Sequence, residues 1–139
     1  MTDKTFEKAF VSLIDFFGRH KIKYALIGAW ANNIWGRPRG TADIDFLILL
    51  EKNNFGPLQA ILAREPYLSI DHKWAKHNPM IRHAQIRVLH DHIPVDMMLP
   101  RDAHDEAILK RRKKINVLNM TMYVSSLEDT IIQKIKIGR

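Results

Sequence analysis

The 139-residue chain contains no cysteine, which excludes disulfide bonds and every metal site built on thiolates. It also lacks a long hydrophobic run. The longest, Phe46–Leu50, has the length of a strand, whereas a membrane-spanning helix needs roughly 20 apolar residues. Residues 1–8 include acidic side chains and no apolar signal core. We therefore expect a cytoplasmic protein that does not enter a membrane.

Acidic residues are fewer than basic ones, with 15 Asp and Glu against 22 Lys and Arg, so the net charge is +7. This surplus favours anionic partners such as nucleotides, nucleic acid or an acidic protein, although a basic surface can serve solubility alone. The chain has no repeat, linker or low-complexity segment, and 46% of its residues are hydrophobic. Residues 1–139 are therefore predicted to form one domain with one hydrophobic core.

Helical and strand patterns alternate along the first half of the chain. Phe6, Phe10, Leu13 and Phe17 recur at helical spacing and predict an amphipathic helix over residues 5–20. The patterns that follow predict a strand at 24–27, a helix at 29–35, a loop at 36–40, a strand at 44–50, a turn at 53–56 and a helix from Pro57 to about Glu65.

The second half combines strand patterns with two helix starts. The stretch His72–Pro79 looks irregular. The remaining patterns predict a strand over 81–89, a turn at 91–92, a strand over 93–99, a helix from the cap Asp102 to Arg112, a β segment over 115–124 and a last helix capped by Ser126. This order of elements predicts an α/β (α+β) domain with a mixed β-sheet flanked by helices.

The triplet Asp43-Ile44-Asp45 lies in a predicted strand. Side chains alternate between faces along a strand, so the two carboxylates share one face while Ile44 points into the core. Asp96 lies within a second apolar strand pattern, where a charge needs a partner. If the two strands are neighbours, three carboxylates converge, and such oxygen ligands suit Mg²⁺. A bare Asp-x-Asp can equally be a pair of solvent-facing residues, because short motifs recur by chance.

Residues 24–50, YALIGAWANNIWGRPRGTADIDFLILL, resemble the nucleotidyltransferase fold of the DNA polymerase beta superfamily. That family has a Gly-Gly or Gly-Ser pair after a strand, an Asp-x-Asp farther on, and a third Asp in a later strand. The string Arg39-x-Thr41-x-Asp43-x-Asp45 looks like the bacterial branch that includes AbiEii-type toxins and aminoglycoside nucleotidyltransferases. The final segment, from Ser126 to Arg139, is similar to the helix that follows in those proteins.

The resemblance implies a site and a reaction. Its metal ligands and catalytic residues would be Asp43, Asp45 and Asp96, holding Mg²⁺ or Mn²⁺. Its nucleotide-binding residues would be Gly28, Ala29, Arg39, Thr41 and Lys134. Backbone N–H groups of Gly28 and Ala29 would bind the phosphates of an NTP at a helix start. The expected reaction is in-line attack at the α-phosphorus with pyrophosphate leaving.

Two features depart from the family pattern. Ala29 stands where the family prefers a second Gly or a Ser, and the chain stops at Arg139 where relatives usually continue with further helices. The resemblance therefore implies that C-terminal helices forming part of the acceptor site are either missing from this chain or supplied by a partner. The alternatives are therefore an active enzyme, a non-catalytic nucleotidyltransferase-fold binding module or toxin–antitoxin component, and a basic nucleic-acid-binding domain.

The acceptor is not identified by the sequence, and RNA or a protein hydroxyl ranks above a cationic small molecule because the chain is basic. Lys110–Lys114 is a run of five cations, which complements a helix dipole or contacts RNA. Trp30, Trp35 and Trp74 could stack on a base, although such residues usually belong to the core. The pair His90-x-His92 resembles half a zinc site but has no evident third ligand.

Overall fold

The computed structural model describes residues 4–36, 43–81, 84–117 and 119–136. Its α-helices are α1 (Lys4–Arg19), α2 (Gly28–Trp35), α3 (Gly56–Leu62), α4 (His72–His77), α5 (Ala103–Arg111) and α6 (Leu127–Lys136). Its strands are β1 (Lys23–Ile27), β2 (Ile44–Leu49), β3 (Ser69–Ile70), β4 (Gln85–His90), β5 (Ile93–Met98), β6 (Lys113–Val117) and β7 (Met120–Val124). None of the helices in these ranges combines the length and the apolar character needed to cross a bilayer.

The strands form a mixed sheet in the order β3-β4-β5-β2-β1-β7-β6. The pairs β2–β5 and β1–β7 are parallel, and the other neighbouring pairs are antiparallel. The predicted mixed sheet flanked by helices is therefore confirmed. The predicted adjacency of the strand that contains Asp45 and the strand that contains Asp96 is confirmed as well.

Alternation along the strands divides the core between the two faces of the sheet. On one face, Ile44, Phe46 and Ile48 of β2 pack in a large aromatic and aliphatic core with α1. On the other face, Leu47 packs with Ile108 of α5 in a smaller cluster. The predicted inward position of Ile44 is thus confirmed, and the residue that follows it faces the smaller, α5 side.

Two predictions about individual elements are wrong, and the β structure predicted over 115–124 is present as two strands. Residues 72–77 are helical rather than irregular, because Asp71 caps α4 by accepting a hydrogen bond from the Trp74 backbone N–H at 2.9 Å. The strand predicted from Ile81 starts only at Gln85. The β segment predicted over 115–124 is an antiparallel hairpin, with Asn119 in the left-handed region between β6 and β7.

Helix α6 begins after the predicted cap Ser126, whose Oγ accepts a hydrogen bond from the Asp129 N–H at 3.1 Å. The distribution of its polar and apolar side chains is the reverse of that on an ordinary surface helix. The polar side chains of Asp129 and Thr130 are buried. The large aliphatic side chains of this helix are exposed instead: Leu127, Ile131, Ile132 and Ile135. Hydrogen bonding rather than apolar burial therefore attaches α6 to the domain.

Candidate active site

A row of charged side chains crosses three neighbouring strands on the α5 side of the sheet. Asp45 of β2 pairs with Asp96 of the parallel strand β5, and Asp96 pairs with Arg87 of the antiparallel strand β4. Paired residues project from the same face of a sheet, so the three side chains stand side by side. Asp43 lies just before β2 and also approaches Arg87. We call Asp43, Asp45, Asp96 and Arg87 the carboxylate site.

Arg87 is the central cation of the carboxylate site. Its Nε donates to Asp96 Oδ1 at 2.8 Å, and its Nη2 donates to Asp96 Oδ2 at 3.0 Å. The same Nη2 lies 3.7 Å from Asp43 Oδ2. The guanidinium also lies over the ring of Trp74 in α4, at 5.4 Å from its centroid. A single arginine therefore connects two of the three carboxylates.

The carboxyl group of Asp45 has a raised pKa. Burial is the largest cause, and the charges of Asp96 and Asp43 add repulsion, so the pKa of Asp45 rises to about 7 despite an opposing effect of Arg87. Three carboxylates share one guanidinium. The carboxylate site therefore has an excess of negative charge at its centre.

The ligand chemistry of the carboxylate site fits a hard divalent cation, because its donors are carboxylate oxygens with uncompensated charge. As the side chains stand, however, no three His, Asp or Glu side chains in the described ranges are arranged to hold a metal ion. Arg87 Nη2 lies 3.0 Å from Asp96 Oδ2 and 3.7 Å from Asp43 Oδ2. The metal-binding role of these residues stays a prediction.

Helix α2 starts beside the carboxylate site. Gly28 has φ +71°, and a Cβ atom at this position would overlap Asp45 Oδ2. Ile27, the N-cap residue, gives no side-chain hydrogen bond to the first turn, and Ala29 is exposed. The start of α2 thus provides backbone N–H groups for an anion. Any side chain at Gly28 would also displace Asp45, so its substitution would disturb packing as well as phosphate binding.

The other predicted nucleotide-binding residues are not brought to the carboxylate site by the described structure. Arg39 and Thr41, together with Arg37, lie outside the described residues. Lys134 is half-buried in the last turn of α6, a helix that packs against α2. The nucleotide-binding role of all three residues stays a prediction.

The basic run 110–114 does not form a single helix end. Helix α5 ends at Arg111, one residue before the predicted end, and β6 begins at Lys113. Arg111 binds Asp129 at 2.5 and 3.2 Å. Arg112 stacks on the Tyr123 ring at 3.9 Å from its centroid and donates to the Tyr24 carbonyl. Two of the five cations therefore stabilise the fold, and the RNA contact stays a prediction for the exposed lysines.

The tryptophan and histidine candidates have mostly structural contacts. Trp30 packs on Phe6 and Phe10 of α1, and Trp35 Nε1 donates to the Ser125 carbonyl at 2.7 Å. The buried His90 is hydrogen-bonded to Ser12, with 3.1 Å between His90 Nε2 and Ser12 Oγ. Trp74, beside Arg87, is the tryptophan that contacts the carboxylate site.

A separate cavity of about 850 Å³ lies between α1 and the ends of β3 and β4. Ser12, Tyr67 and His90 line it, and no member of the carboxylate site does. His90 and Arg87 occupy positions of opposite parity on β4, so they project from opposite faces of the sheet. The cavity is therefore separate from the chemistry of the carboxylate site.

Arg87 and Trp74 complete the carboxylate site but were not predicted as members. A usable signal for Arg87 existed in the sequence. The two-residue turn at 91–92 sets the register of the β4–β5 hairpin, and counting back from His90–Ile93 pairs Arg87 with Asp96. Asp71 is a local signal for the start of α4, since Asp is a preferred N-cap residue. No local signal places Trp74 of that helix beside Arg87.

No protein-family model and no curated protein matches this chain. Among solved structures, it is similar to a candidate nucleotidyltransferase from Thermotoga maritima, with a TM-score of 0.71 and 16% identity over 100% of this chain and 88% of that one. It is also similar to the lincosamide antibiotic adenylyltransferase LnuA, solved with lincomycin bound, with a TM-score of 0.60 and 15% identity over 95% and 85% of the two chains. A nucleotidyltransferase-like antigenic protein from Paracoccidioides brasiliensis gives a TM-score of 0.63 and 16% identity over 97% of this chain and 66% of that protein.

These similarities extend over nearly the whole chain, including the sheet that forms the carboxylate site. At such low identity they bear on the fold and not on the reaction. The described elements, their order in the mixed sheet and the three structural neighbours agree: the chain has the nucleotidyltransferase fold.

Proposed function

We propose that this protein is a metal-dependent nucleotidyltransferase, which moves a nucleoside monophosphate from an NTP to a hydroxyl acceptor with pyrophosphate leaving. The observation that carries the proposal is the placement of Asp45 opposite Asp96, next to the start of α2. The start of α2 and the carboxylates of Asp45 and Asp96 are therefore neighbours, and a phosphate ester could bind between them.

Different residues of this chain would bind the metal ion and the phosphates. Asp43, Asp45 and Asp96 would hold Mg²⁺, which would supply positive charge to the phosphates and the attacking oxygen. The first N–H groups of α2, at Gly28 and Ala29, would donate to the phosphates. Because phosphoryl chemistry depends mainly on positioning and electrostatics, a rigid sheet bearing these groups is a suitable scaffold.

The acceptor class is a separate part of the proposal. The net charge of +7 favours an anionic acceptor such as RNA, or a protein hydroxyl, over a cationic small molecule. The neighbour solved with lincomycin keeps a small-molecule acceptor as the alternative. The AbiEii-like branch, the toxin–antitoxin role and the cytoplasmic location all stay predictions.

The test begins with ligand binding. Thermal melts with Mg²⁺ or Mn²⁺ and each NTP should show a rise in Tm, because a ligand that binds only the folded state stabilises it. Asp43→Asn, Asp45→Asn and Asp96→Asn should each remove most of this rise. Asp15→Asn is the matched control, since Asp15 pairs with Arg19 on α1, far from the carboxylate site in the fold. An equal rise in all variants would reject the site.

The second stage separates an enzyme from a binding module. The protein is incubated with each α-³²P-labelled NTP, Mg²⁺ and either total RNA, protein extract or a panel of hydroxylated small molecules. A labelled product that disappears in Asp96→Asn supports transfer and identifies the acceptor class. Nucleotide binding without any labelled product, in all three mixtures, would support the non-catalytic alternative.

A further inference from the structure

Arg87 Nη2 occupies a position between carboxylates from two strands. It lies 3.0 Å from Asp96 Oδ2 and 3.7 Å from Asp43 Oδ2, while Nε binds the second oxygen of Asp96. A Mg²⁺ ion would need oxygen ligands at about 2.0–2.1 Å. An ion sharing Asp43 and Asp96 would therefore lie within a few ångströms of the guanidinium, where the two positive charges repel each other strongly.

The charge balance gives a reason for the two cations to exchange. Arg87 supplies one positive charge beside three carboxylates: it contacts Asp96 and Asp43, and Asp45 pairs with Asp96 on the neighbouring strand. A divalent cation would neutralise more of this charge than a guanidinium does. The single charge of Arg87 is therefore enough to hold the carboxylates near one another, but it does not neutralise all of their negative charge.

The Arg87 side chain also has partners that it would keep if its guanidinium left Asp96. The Trp74 ring lies 5.4 Å from the guanidinium carbon, and a planar guanidinium can stack on such a ring. Asp71, the cap of the same helix, is hydrogen-bonded through its N–H to the Arg87 carbonyl at 2.8 Å. Its carboxylate attracts the Arg87 guanidinium electrostatically. The guanidinium could therefore leave Asp96 without losing all of its partners.

We propose that Arg87 is a built-in counter-cation of the carboxylate site, and that a divalent metal ion binds there by displacing its guanidinium from between Asp43 and Asp96 towards Trp74 and Asp71. The inference rests on the proposed function in one respect, that these carboxylates bind a metal. It goes further by assigning Arg87 as a positioning residue that sets the metal affinity. In the protein without metal, Arg87 thereby holds the carboxylates of Asp43 and Asp96 close together.

The test is Mn²⁺ binding in the absence of any nucleotide, measured by calorimetry and by the electron paramagnetic resonance of free Mn²⁺. Arg87→Met should bind Mn²⁺ at least about tenfold more tightly than the parent protein, because the competing charge is gone. Arg87→Lys, which keeps the charge but cannot bridge two carboxylates through a fork, should be intermediate. Arg64→Met is the matched control, since this exposed arginine lies outside the carboxylate site and should leave the affinity unchanged.

An affinity of Arg87→Met within twofold of the parent, or weaker, would overturn the inference. So would the absence of Mn²⁺ binding by both proteins at millimolar concentration. A purely structural arginine would lower stability without tightening metal binding, and the thermal melts without metal detect that case.

A measurement on the unmodified protein covers the possibility that Arg87→Met does not fold. Phenylglyoxal labelling followed by mass spectrometry should show faster modification of Arg87 when Mn²⁺ is bound, with Arg64 unchanged as the internal reference. Equal labelling of Arg87 with and without Mn²⁺ would overturn the inference. Neither experiment uses an NTP, so the two proposals can fail separately. Tighter Mn²⁺ binding by Arg87→Met without any nucleotide transfer by the parent would support the displacement of Arg87 and reject the nucleotidyltransferase. Nucleotide transfer by the parent with unchanged Mn²⁺ affinity in Arg87→Met would support the nucleotidyltransferase and reject the displacement.

Discussion

Two buried aspartates, Asp129 and Asp96, each accept hydrogen bonds from one arginine through both carboxylate oxygens. Their surroundings differ. Asp129 is 1% exposed and accepts hydrogen bonds from Arg111, from His104 at 3.1 Å and from Ser126 Oγ at 3.0 Å. Burial alone would raise its pKa, but these hydrogen bonds outweigh burial and lower the pKa. In the carboxylate site, the single Arg87 serves three carboxylates, and the pKa of Asp45 is raised.

The two sites differ in how completely the negative charge of their carboxylates is balanced. Asp129 has as many donors as its oxygens need, so it attaches α6 to α5 without residual charge. The carboxylate site keeps repulsion that the protein by itself does not remove, which is a property expected of a place that awaits a cation. Counting donors against carboxylates therefore says more about function than burial does.

Removal of Asp129 should have the largest effect on stability. Asp129→Ala should lower the free energy of unfolding by about 3 kcal/mol, because Arg111, His104 and Ser126 all lose their common acceptor. Urea denaturation checks the value, with an unchanged m-value as the control for two-state behaviour. Asp96→Ala should cost less, because it also relieves repulsion on Asp45. A larger loss in Asp96→Ala than in Asp129→Ala would break the comparison.

The second effect is the pH dependence caused by Asp45. Its pKa is about 7 in the folded protein and about 3.9 in an unfolded chain. Between these values the folded state binds more protons, so the free energy of unfolding falls as pH rises from about 4 to 7 and then levels off. The full shift corresponds to about 4 kcal/mol, and solvent screening reduces the expected change to roughly 1–2 kcal/mol.

Asp45→Asn should remove this pH dependence. The free energy of unfolding of the variant should therefore rise relative to that of the parent between about pH 4 and 7. Urea denaturation at a series of pH values, with EDTA present to exclude metal ions, measures both proteins. Parallel pH profiles of parent and variant would show that Asp45 carries no excess repulsion. Asp15→Asn serves as the control, since it should follow the parent profile.

The smallest effect is expected at an ion pair exposed to solvent. Lys136 Nζ lies 2.8 Å from Asp102 Oδ2, and both side chains are more than 40% exposed. Solvent and salt screen such a pair, so Lys136→Ala should leave Tm within experimental error at physiological ionic strength. A clear fall in Tm would mean that distance alone, rather than burial and the number of donors, sets the contribution of these carboxylates.

The sequence predicted most elements because their signals are local. The spacing of Phe6, Phe10, Leu13 and Phe17 is enough to identify α1, and Ser126 and Asp102 each announce a helix start. The alternation rule placed Asp43 and Asp45 opposite Ile44, since the side-chain period of a strand is fixed by backbone geometry. The convergence with Asp96 was conditional on strand order, and the neighbours of a strand are not a local property.

The sequence by itself determined that Asp43 and Asp45 share one strand face, through the strand period, and that Arg87 pairs with Asp96, through the two-residue turn at 91–92. Tertiary structure alone decided that β5 lies beside β2, and that Arg87 reaches both Asp96 and Asp43. It also decided that Arg111 binds Asp129 and that Arg112 binds the Tyr24 carbonyl. The physical reason is that periodicity and turn register arise from neighbouring residues. Charge neutralisation, in contrast, depends on which distant side chains the packed sheet and helices bring within a few ångströms.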